Sequence, residues 1–350
     1  MTVPKSSRLR NVTIRDVAKE ANVSYSTVSR VLNNNKHVRP DKRQMVLDAV
    51  SRLGYVVNQQ ARSLAGGSSE VIGLLVPDVG TMYTGQFLLG IDETLAKNGY
   101  DIMLHTTHNR VTKEAVYINR LSMGMTDGLL LLLPIDTEYL RILHDKQFPY
   151  VVIDNKDFDD FSPTVGADGY TGACEAMRYL LELGHRRIGH ITGRLAISSG
   201  YERLQAYRDT LAAYGIAYEP ELVVEGDYTQ LTAYHSSQGL LDLPQPPTAI
   251  FAANDEAAFG VLDAIRNRGL TVPGDISLVG FDNIPQAELT HPALTTVHQP
   301  IRDMGRVAAE MLMAIISNPD TPTRKVVLET KLVIRASCSP PKTANHKPGI

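Results

Sequence analysis

The sequence has few cysteines, no tryptophan and no long apolar run, and these shortages exclude several classes of protein. Only two cysteines, Cys174 and Cys338, occur among 350 residues, which argues against a disulfide-stapled secreted module and a cysteine-based metal site. The longest apolar run, at 128–134, is far too short to cross a bilayer. The amino terminus is polar and basic and has no apolar segment of the kind that directs secretion, so we expect a cytoplasmic protein.

Charge is distributed unevenly along the chain. The first 65 residues contain twelve lysines or arginines and four acidic residues, a net charge of +8, whereas the whole chain carries −3 and the remainder therefore −11. A basic head on an acidic body is typical of a protein that binds nucleic acid through one module. The length and the hydrophobic share of 43% allow two or three folded units, each with its own core.

A helix-turn-helix is predicted within this basic head, at 12–34. Four apolar residues keep helical spacing: Ile14, Val17, Ala18 and Ala21. Thr13 and Asp16 can form a capping box for that helix, and Ser24 can cap a second one. The outer face of the second helix offers hydrogen-bonding side chains: Tyr25, Ser26, Ser29 and Arg30. An ordinary helical hairpin with a solvated face has the same spacing, and the charge of the head favours DNA binding over it.

A third helix is predicted to begin at Pro40 and to end at Gly54, because proline favours the first helical turn and glycine the position after the last. We expect its inward stripe to be Val46, Leu47, Val50 and Leu53. Arg39 precedes the proline and lacks a capping hydroxyl, which predicts a weaker cap or an added phosphate contact.

These runs, VTIRDVAKEANVSYSTVSRVLN at 12–33 and GYVVNQQARSLAGG at 54–67, resemble the LacI/GalR family of bacterial transcriptional regulators. The likeness extends from Val12 to Cys338. It implies a helix-turn-helix domain at 12–57, a hinge helix and linker at 58–69, and an effector-binding and dimerisation core at 70–338. The polar composition of the two ends predicts a flexible arm at 1–11 and a disordered tail at 339–350.

The resemblance also indicates which residues contact DNA. In this family the hinge helix folds over DNA, and Leu64 matches the residue that inserts between base steps in the minor groove. A plain interdomain tether is the alternative interpretation of 58–69. The full expected set is Thr13, Arg15, Ser24, Tyr25, Ser26, Thr27, Ser29, Arg30, Asn33, Tyr55, Asn58, Ala61 and Leu64.

From Val71 onward, apolar runs of strand length alternate with amphipathic helical stretches. Such alternation predicts parallel sheets covered by helices on both faces, and two sets of strands are present. We therefore expect two doubly wound subdomains, like a type I periplasmic binding protein. Short extended stretches at 294–300 and 324–332 suggest that the chain crosses back between them.

Polar residues follow several of these strands, where parallel sheets bind ligands. The expected effector-binding set is Asp78, Tyr83, Asp154, Arg203, Tyr228, Asn254, Asp255 and Asp282. The choice of Arg203 rests on the resemblance, since SGYERLQAY at 199–207 matches the family segment whose arginine reaches the effector. Carboxylates and a guanidinium beside aromatic rings suit a sugar. Asp255 and Asp282 could instead cap helices, Arg203 could lie on a helix surface, and Tyr228 could be plain core.

The sequence thus predicts a repressor of a carbohydrate-utilisation operon, a homodimer that binds a pseudo-palindromic DNA operator and is switched by a small sugar-like effector. Ile197 stands where purine-binding relatives have an arginine, which argues against a purine. We expect no enzyme activity, cofactor, metal or membrane partner, because no nucleophile elbow, metal cluster or phosphate loop is found. A transport component with a vestigial head and a carbohydrate-active enzyme, whose carboxylate pair would hydrolyse glycosides, are the competing interpretations.

Overall fold

A computed structural model describes residues 12–32, 37–55, 68–155 and 159–342. The chain forms two compact units, and the division between them falls between Glu70 and Val71. The expected flexible arm at 1–11 and residues 58–67 of the expected hinge lie outside the described residues. Within the described ranges, no helix is both long and apolar enough to span a membrane.

The first unit is a small bundle of three helices: α1 (Ile14–Glu20), α2 (Tyr25–Leu32) and α3 (Pro40–Leu53). The predicted capping box closes α1, since the Thr13 amide donates to the Asp16 carboxylate at 2.9 Å and the Asp16 amide donates back to the Thr13 hydroxyl. The Ser24 hydroxyl accepts the Thr27 amide at 3.2 Å and caps α2. The core between the helices consists of buried aliphatic side chains: Val17, Ala18, Ala21, Val28, Val31, Val46 and Ala49.

Two details of α3 differ from the expectation or refine it. Leu47 is 45% exposed, so its assignment to the inward stripe was wrong. The buried stripe instead contains Val46 and Ala49, because Leu47 lies about 100° around the helix from Val46. Arg39 makes no side-chain cap, and its guanidinium bonds the Asp41 carboxylate at 2.9 Å.

The second unit contains two six-stranded sheets. The first sheet comprises β1 (Val71–Val76), β2 (Asp101–Thr106), β3 (Gly128–Leu132), β4 (Tyr150–Ile153), β5 (Thr164–Ala167) and β11 (Lys325–Leu328). The second comprises β6 (Ile188–Ile191), β7 (Val223–Val224), β8 (Ala249–Ala252), β9 (Ser277–Asp282), β10 (Thr295–His298) and β12 (Lys331–Val333). The helices of this unit are α4 (Met82–Lys97), α5 (Val111–Ser122), α6 (Thr137–Asp145), α7 (Gly169–Glu182), α8 (Ser198–Ala213), α9 (Gln230–Leu241), α10 (Asp255–Asn267), α11 (Pro285–Leu289) and α12 (Ile301–Ser317).

The strand order confirms the predicted pair of doubly wound sheets. In the first sheet the order is β11-β5-β4-β3-β1-β2, and every pair is parallel. In the second it is β12-β10-β9-β8-β6-β7, where β12 is an antiparallel edge strand. The chain passes between the sheets after β5, after β10 and between β11 and β12. The last two passages match the predicted crossings.

Helices cover both faces of each sheet, which is why the central strands consist mainly of apolar residues. Strands β1, β3, β4, β8 and β9 are buried at every position. Helices α4 and α12 pack together against the first sheet, while α5 packs on β1 and β3. Gly90 permits the close approach of α4 to α12, because a Cβ there would lie 2.0 Å from the Arg302 carbonyl oxygen.

Two local features differ from the expected boundaries. The run LVVEGDY at 222–228 predicts a strand, but β7 has only two residues. The chain leaves the sheet in a turn in which the Asp227 carboxylate accepts the Thr229 amide and hydroxyl. The first residues of the expected disordered tail, 339–342, contact the second unit. The Ser339 amide donates to the Ser277 hydroxyl at 3.0 Å, and Lys342 pairs with Asp275. Residues 343–350 lie outside the described part of the chain.

Candidate DNA-binding face and effector cavity

The head presents a polar face on α2. Tyr25 is 55% exposed, and Ser26 and Arg30 are also exposed, whereas Thr27 and Ser29 are half-buried. The buried Val28 and Val31 fix the opposite side of the helix in the core of the head. The helix therefore offers Tyr25, Ser26 and Arg30 outward, as the arrangement of a recognition helix requires.

The other residues expected to contact DNA differ in how exposed they are. Thr13 and Arg15 are exposed at the start of α1, and Ser24 is exposed with its hydroxyl engaged by its neighbours on α2. Tyr55 is half-buried against the core of the head, so its ring has a packing role as well. Four expected contacts lie outside the described residues: Asn33, Asn58, Ala61 and Leu64.

A cavity opens between the two sheets of the second unit, at the carboxyl ends of their strands. Its volume is about 110 Å³, and it is open to solvent on one side. Seven of the eight expected effector residues line it: Asp78, Tyr83, Asp154, Arg203, Tyr228, Asn254 and Asp282. Residues far apart in the sequence thus converge on one site.

Arg203 is buried beside the cavity, with 3% of its surface exposed. Its Nη1 donates to the Ala253 carbonyl oxygen at 2.6 Å, its Nη2 donates to Gln299 Oε1 at 3.2 Å, and its guanidinium carbon lies 3.7 Å from the centre of the Phe281 ring. These contacts fix the guanidinium and leave its Nε buried without a hydrogen-bond partner in the described structure. Arg203 is therefore no surface helix residue.

Asp282 ends β9 and faces Arg203. The carboxylate Oδ1 lies 3.8 Å from the Arg203 Nη2, too far for a direct hydrogen bond, and it is buried without any other partner among the described residues. Burial raises the pKa of Asp282 well above its usual value, and the positive charge of Arg203 opposes that shift. Asp282 does not cap α11, whose N-cap residue is Ile284.

Asp154, at the end of β4, is held by two donors. The Tyr83 hydroxyl donates to its Oδ2, and Gln299 Nε2 approaches its Oδ1 at 3.4 Å. Burial raises the pKa of Asp154 to about 6, against the effects of the Tyr83 bond and the Arg203 charge. Gln299 thus connects Asp154 of the first subdomain to Arg203 of the second.

Tyr228 forms an aromatic wall, as predicted, although it follows a turn rather than ending a strand. Its ring packs over Gly193, where a Cβ would lie 2.0 Å from the ring carbon Cζ. Its hydroxyl lies 3.0 Å from that of Ser199. Asn254 holds the Tyr228 backbone by donating to its carbonyl oxygen at 3.2 Å, while the Asn254 Oδ1 caps α10.

Asp255 requires a correction, because the structure does not place it in the cavity. It is fully buried, and it accepts the Ile284 amide at 2.8 Å and the Thr296 hydroxyl at 2.5 Å. The cap of α10 is the preceding Asn254, so capping is not the role of Asp255 either. Asp255 instead joins α10 to β10 and to the segment after β9.

The cavity region also contains residues that the sequence analysis did not select. Arg194, Ser199 and Asp227 line the cavity, and Gln299 supports it from behind. Ser199 lies within the segment that contains Arg203, and Asp227 directly precedes Tyr228. Their proximity in sequence to selected residues was a signal that could have identified them.

Comparison with known proteins identifies the family. The profile described as "Bacterial regulatory proteins, lacI family" matches residues 13–58, and that described as "Periplasmic binding protein-like domain" matches 177–338. The chain is 36% identical over 331 residues to the HTH-type transcriptional repressor PurR of Photorhabdus laumondii, covering 93% of this chain and 96% of that protein. The chain belongs to the LacI family. As such it is a DNA-binding transcriptional repressor.

Solved structures of LacI-family proteins agree with the fold. The lac repressor dimer bound to operator and the anti-inducer ONPF matches with a TM-score of 0.82 at 27% identity, covering 94% of this chain and all of that one. The transcriptional regulator CelR–cellobiose complex matches with a TM-score of 0.72 at 32% identity, covering 93% of this chain and 99% of that one. These relatives are transcriptional regulators, which agrees with the prediction that the chain is not an enzyme.

Proposed function

We propose that this LacI-family repressor is controlled by a neutral, sugar-like effector in the cavity and regulates genes of carbohydrate use. The observation that carries the proposal is the pair of buried, unsatisfied atoms at Arg203 Nε and Asp282 Oδ1. Buried polar atoms in proteins are nearly always hydrogen-bonded, so an unsatisfied donor and acceptor on neighbouring side chains call for a ligand.

The chemistry of that pair favours a hydroxyl group. A hydroxyl accepts from a guanidinium through one lone pair and donates its proton to a carboxylate. Tyr83 and Tyr228 add ring faces, and Leu132, Leu133 and Ile197 add apolar surface. The bound cellobiose of the similar CelR complex supports a sugar as the ligand class.

We propose the expected contact residues for these roles. Asp78, Tyr83, Asp154, Arg203, Tyr228, Asn254 and Asp282 would form the effector site, without Asp255. The residues expected at the DNA, from Thr13 to Leu64, would contact an operator with two half-sites. A homodimer would supply the two heads, as in the lac repressor dimer bound to operator. A repressor that binds chromosomal DNA would act in the cytoplasm.

The test is calorimetry of the purified full-length protein with neutral monosaccharides and disaccharides, purines and nucleosides. We expect a neutral sugar to bind, and its affinity to fall at least tenfold in the Arg203→Met variant. The exposed Arg178 of α7 supplies a matched control, and Arg178→Ala should bind as the wild type does. Binding of purines or nucleosides alone would refute the sugar, and unchanged binding by Arg203→Met would refute the site.

A further inference from the structure

We propose that Arg335, which does not line the cavity, is a positioning residue for the effector: through Asn283 it holds Asp282 in the conformation that binds a hydroxyl group. The side chains of Arg335, Asn283 and His298 form what we call the Asn283 clasp. This inference rests on the proposed function and adds to it a residue that determines effector affinity without touching the effector.

The backbone at the end of β9 has a conformation that residues other than glycine rarely adopt. Asp282 has a φ of 103° and the following Asn283 a φ of 56°, so both lie in the left-handed region. Residues with side chains keep such angles only where the surrounding structure holds them. The direction of the Asp282 carboxylate therefore depends on the contacts of the residues beside it.

The amide group of Asn283 is held at both of its polar atoms. Arg335 Nη2 donates to Asn283 Oδ1 at 2.7 Å, and Asn283 Nδ2 donates to His298 Nδ1 at 3.2 Å. Because a guanidinium can only donate, the bond with Arg335 determines which end of the amide is the oxygen, and the His298 nitrogen is then an acceptor. The clasp thus fixes the side chain of Asn283, and with it the backbone next to Asp282.

Arg335 is itself anchored to the start of β10. Its Nη1 donates to the Leu294 carbonyl oxygen at 2.8 Å, and its backbone amide donates to the Thr295 hydroxyl at 2.9 Å. Arg335 is half-buried and follows β12, which pairs with β10 at the edge of the second sheet. The clasp therefore ties the end of β9 to a neighbouring buried strand.

Other contacts fix the backbone on either side of Asn283. The Ile284 amide donates to the Asp255 carboxylate at 2.8 Å, and the Asp282 carbonyl oxygen accepts the Gln299 amide at 3.3 Å. The Asp282 carboxylate, by contrast, keeps its Oδ1 without a hydrogen-bond partner in the described structure. Its neighbours therefore direct this oxygen, and the Asn283 side chain is the contact through which Arg335 acts on it.

The experiment separates the side-chain clasp from the backbone that it supports. Full-length protein is titrated by calorimetry, well below its thermal transition, with neutral sugars that include glucose, galactose, ribose and cellobiose. Arg335→Met removes the guanidinium, and Asn283→Gly removes the amide but suits a left-handed backbone. Asn283→Asp keeps the oxygen that Arg335 binds. The exposed Arg178 supplies the control, Arg178→Met.

We expect Arg335→Met and Asn283→Gly each to bind the tightest of these sugars about tenfold more weakly, because a displaced Asp282 loses a hydrogen bond of a charged group. The double variant should bind within about twofold of the weaker single variant, since both substitutions break the same clasp. Asn283→Asp should stay within about threefold of the wild type, because its carboxylate still accepts from Arg335. Arg178→Met should bind as the wild type does.

The outcomes separate this inference from the proposed function. If Arg335→Met and Asn283→Gly lower the Tm but leave the sugar affinity within about twofold of the wild type, Arg335 has a structural role alone and the inference is wrong, while the sugar site stands. Losses that multiply in the double variant would refute the clasp, as would an Asn283→Asp variant as weak as Asn283→Gly.

Two further results are decisive. If Arg335→Met does not fold, the comparison of Asn283→Gly with Asn283→Asp gives the same test, because both keep the anchored Arg335. If no neutral sugar binds the wild type, the proposed function fails, and the positioning role of Arg335 fails with it. Thermal scans establish that each variant is folded.

Discussion

The pairing of Arg203 with Asp282 allows a quantitative test in the unliganded protein. Replacing Arg203 by methionine keeps most of the side-chain volume but removes the cation next to a carboxylate with 4% exposure. Loss of one partner from a buried charge pair costs about 3–5 kcal/mol of unfolding free energy. The lost hydrogen bonds to Ala253 and Gln299 add to this effect.

The second substitution, Asp282→Asn, removes the charge that Arg203→Met leaves unbalanced. The double variant should therefore be less destabilised than the sum of the two single variants, with a coupling of about 0.5–3 kcal/mol. For a unit of this size, 1 kcal/mol corresponds to a shift of about 2–4 °C in Tm. We thus expect Arg203→Met to lower the Tm by about 6–20 °C.

The assay is urea denaturation of the four proteins, followed by circular dichroism, with thermal scans in parallel. The control pair is Arg178→Met with Asp282→Asn, which lie on different elements and should give additive effects. Additivity within about 0.5 kcal/mol for Arg203 and Asp282 would show that the two groups do not interact energetically. That result would refute the reasoning from their burial and geometry.

Three further predictions concern the head, the subdomain contact and a buried acid. Arg30→Ala should relax base preference at one symmetric position by about 1–3 kcal/mol, measured by binding to single-base variants of a selected operator. Glu256 of the second subdomain accepts the Met82 amide of the first at 3.0 Å, so Glu256→Ala should weaken effector binding about two- to tenfold in calorimetry, as the loss of one hydrogen bond between the subdomains allows. Burial raises the pKa of Asp255 to about 7, so the folded state binds its proton more tightly than the unfolded state does. The contribution of Asp255 to the unfolding free energy should therefore fall by up to about 1.4 kcal/mol per pH unit as the pH rises from 4 to 7. Asp255→Asn should remove this pH dependence of the unfolding free energy, as measured by urea denaturation.

Much of the fold could be predicted because the pattern of each element is local. The continuous apolar run of β3 predicted a strand buried on both faces, and the spacing of Val17 and Ala18 predicted the buried face of α1. The position of Asp154 and of Asp282, each at the ligand-binding edge of its own sheet, followed from a general rule, since parallel sheets bind ligands at the carboxyl ends of their strands. Their contact partners did not follow from that rule.

Other features could not be predicted because they depend on contacts distant in sequence. Asp255 lies at a strand end like the cavity residues, yet Thr296, 41 residues away, takes its carboxylate into the core. Gln299 was overlooked because its importance comes from contacts with Arg203 and Asp154 in two different elements. Periodicity alone also could not determine that Leu47 falls just outside the buried stripe of α3.

The central claim is that a neutral sugar in the cavity changes the affinity of the head for DNA. The most direct test is fluorescence anisotropy of a labelled operator duplex, selected from random duplexes by the full-length protein. The duplex is titrated with the protein in the presence and in the absence of the sugar found by calorimetry. We expect the sugar to change the Kd for the operator by about 5- to 150-fold, as allosteric coupling of about 1–3 kcal/mol gives, and the Arg203→Met variant to bind DNA without responding. An operator affinity that stays the same at saturating sugar would contradict the account.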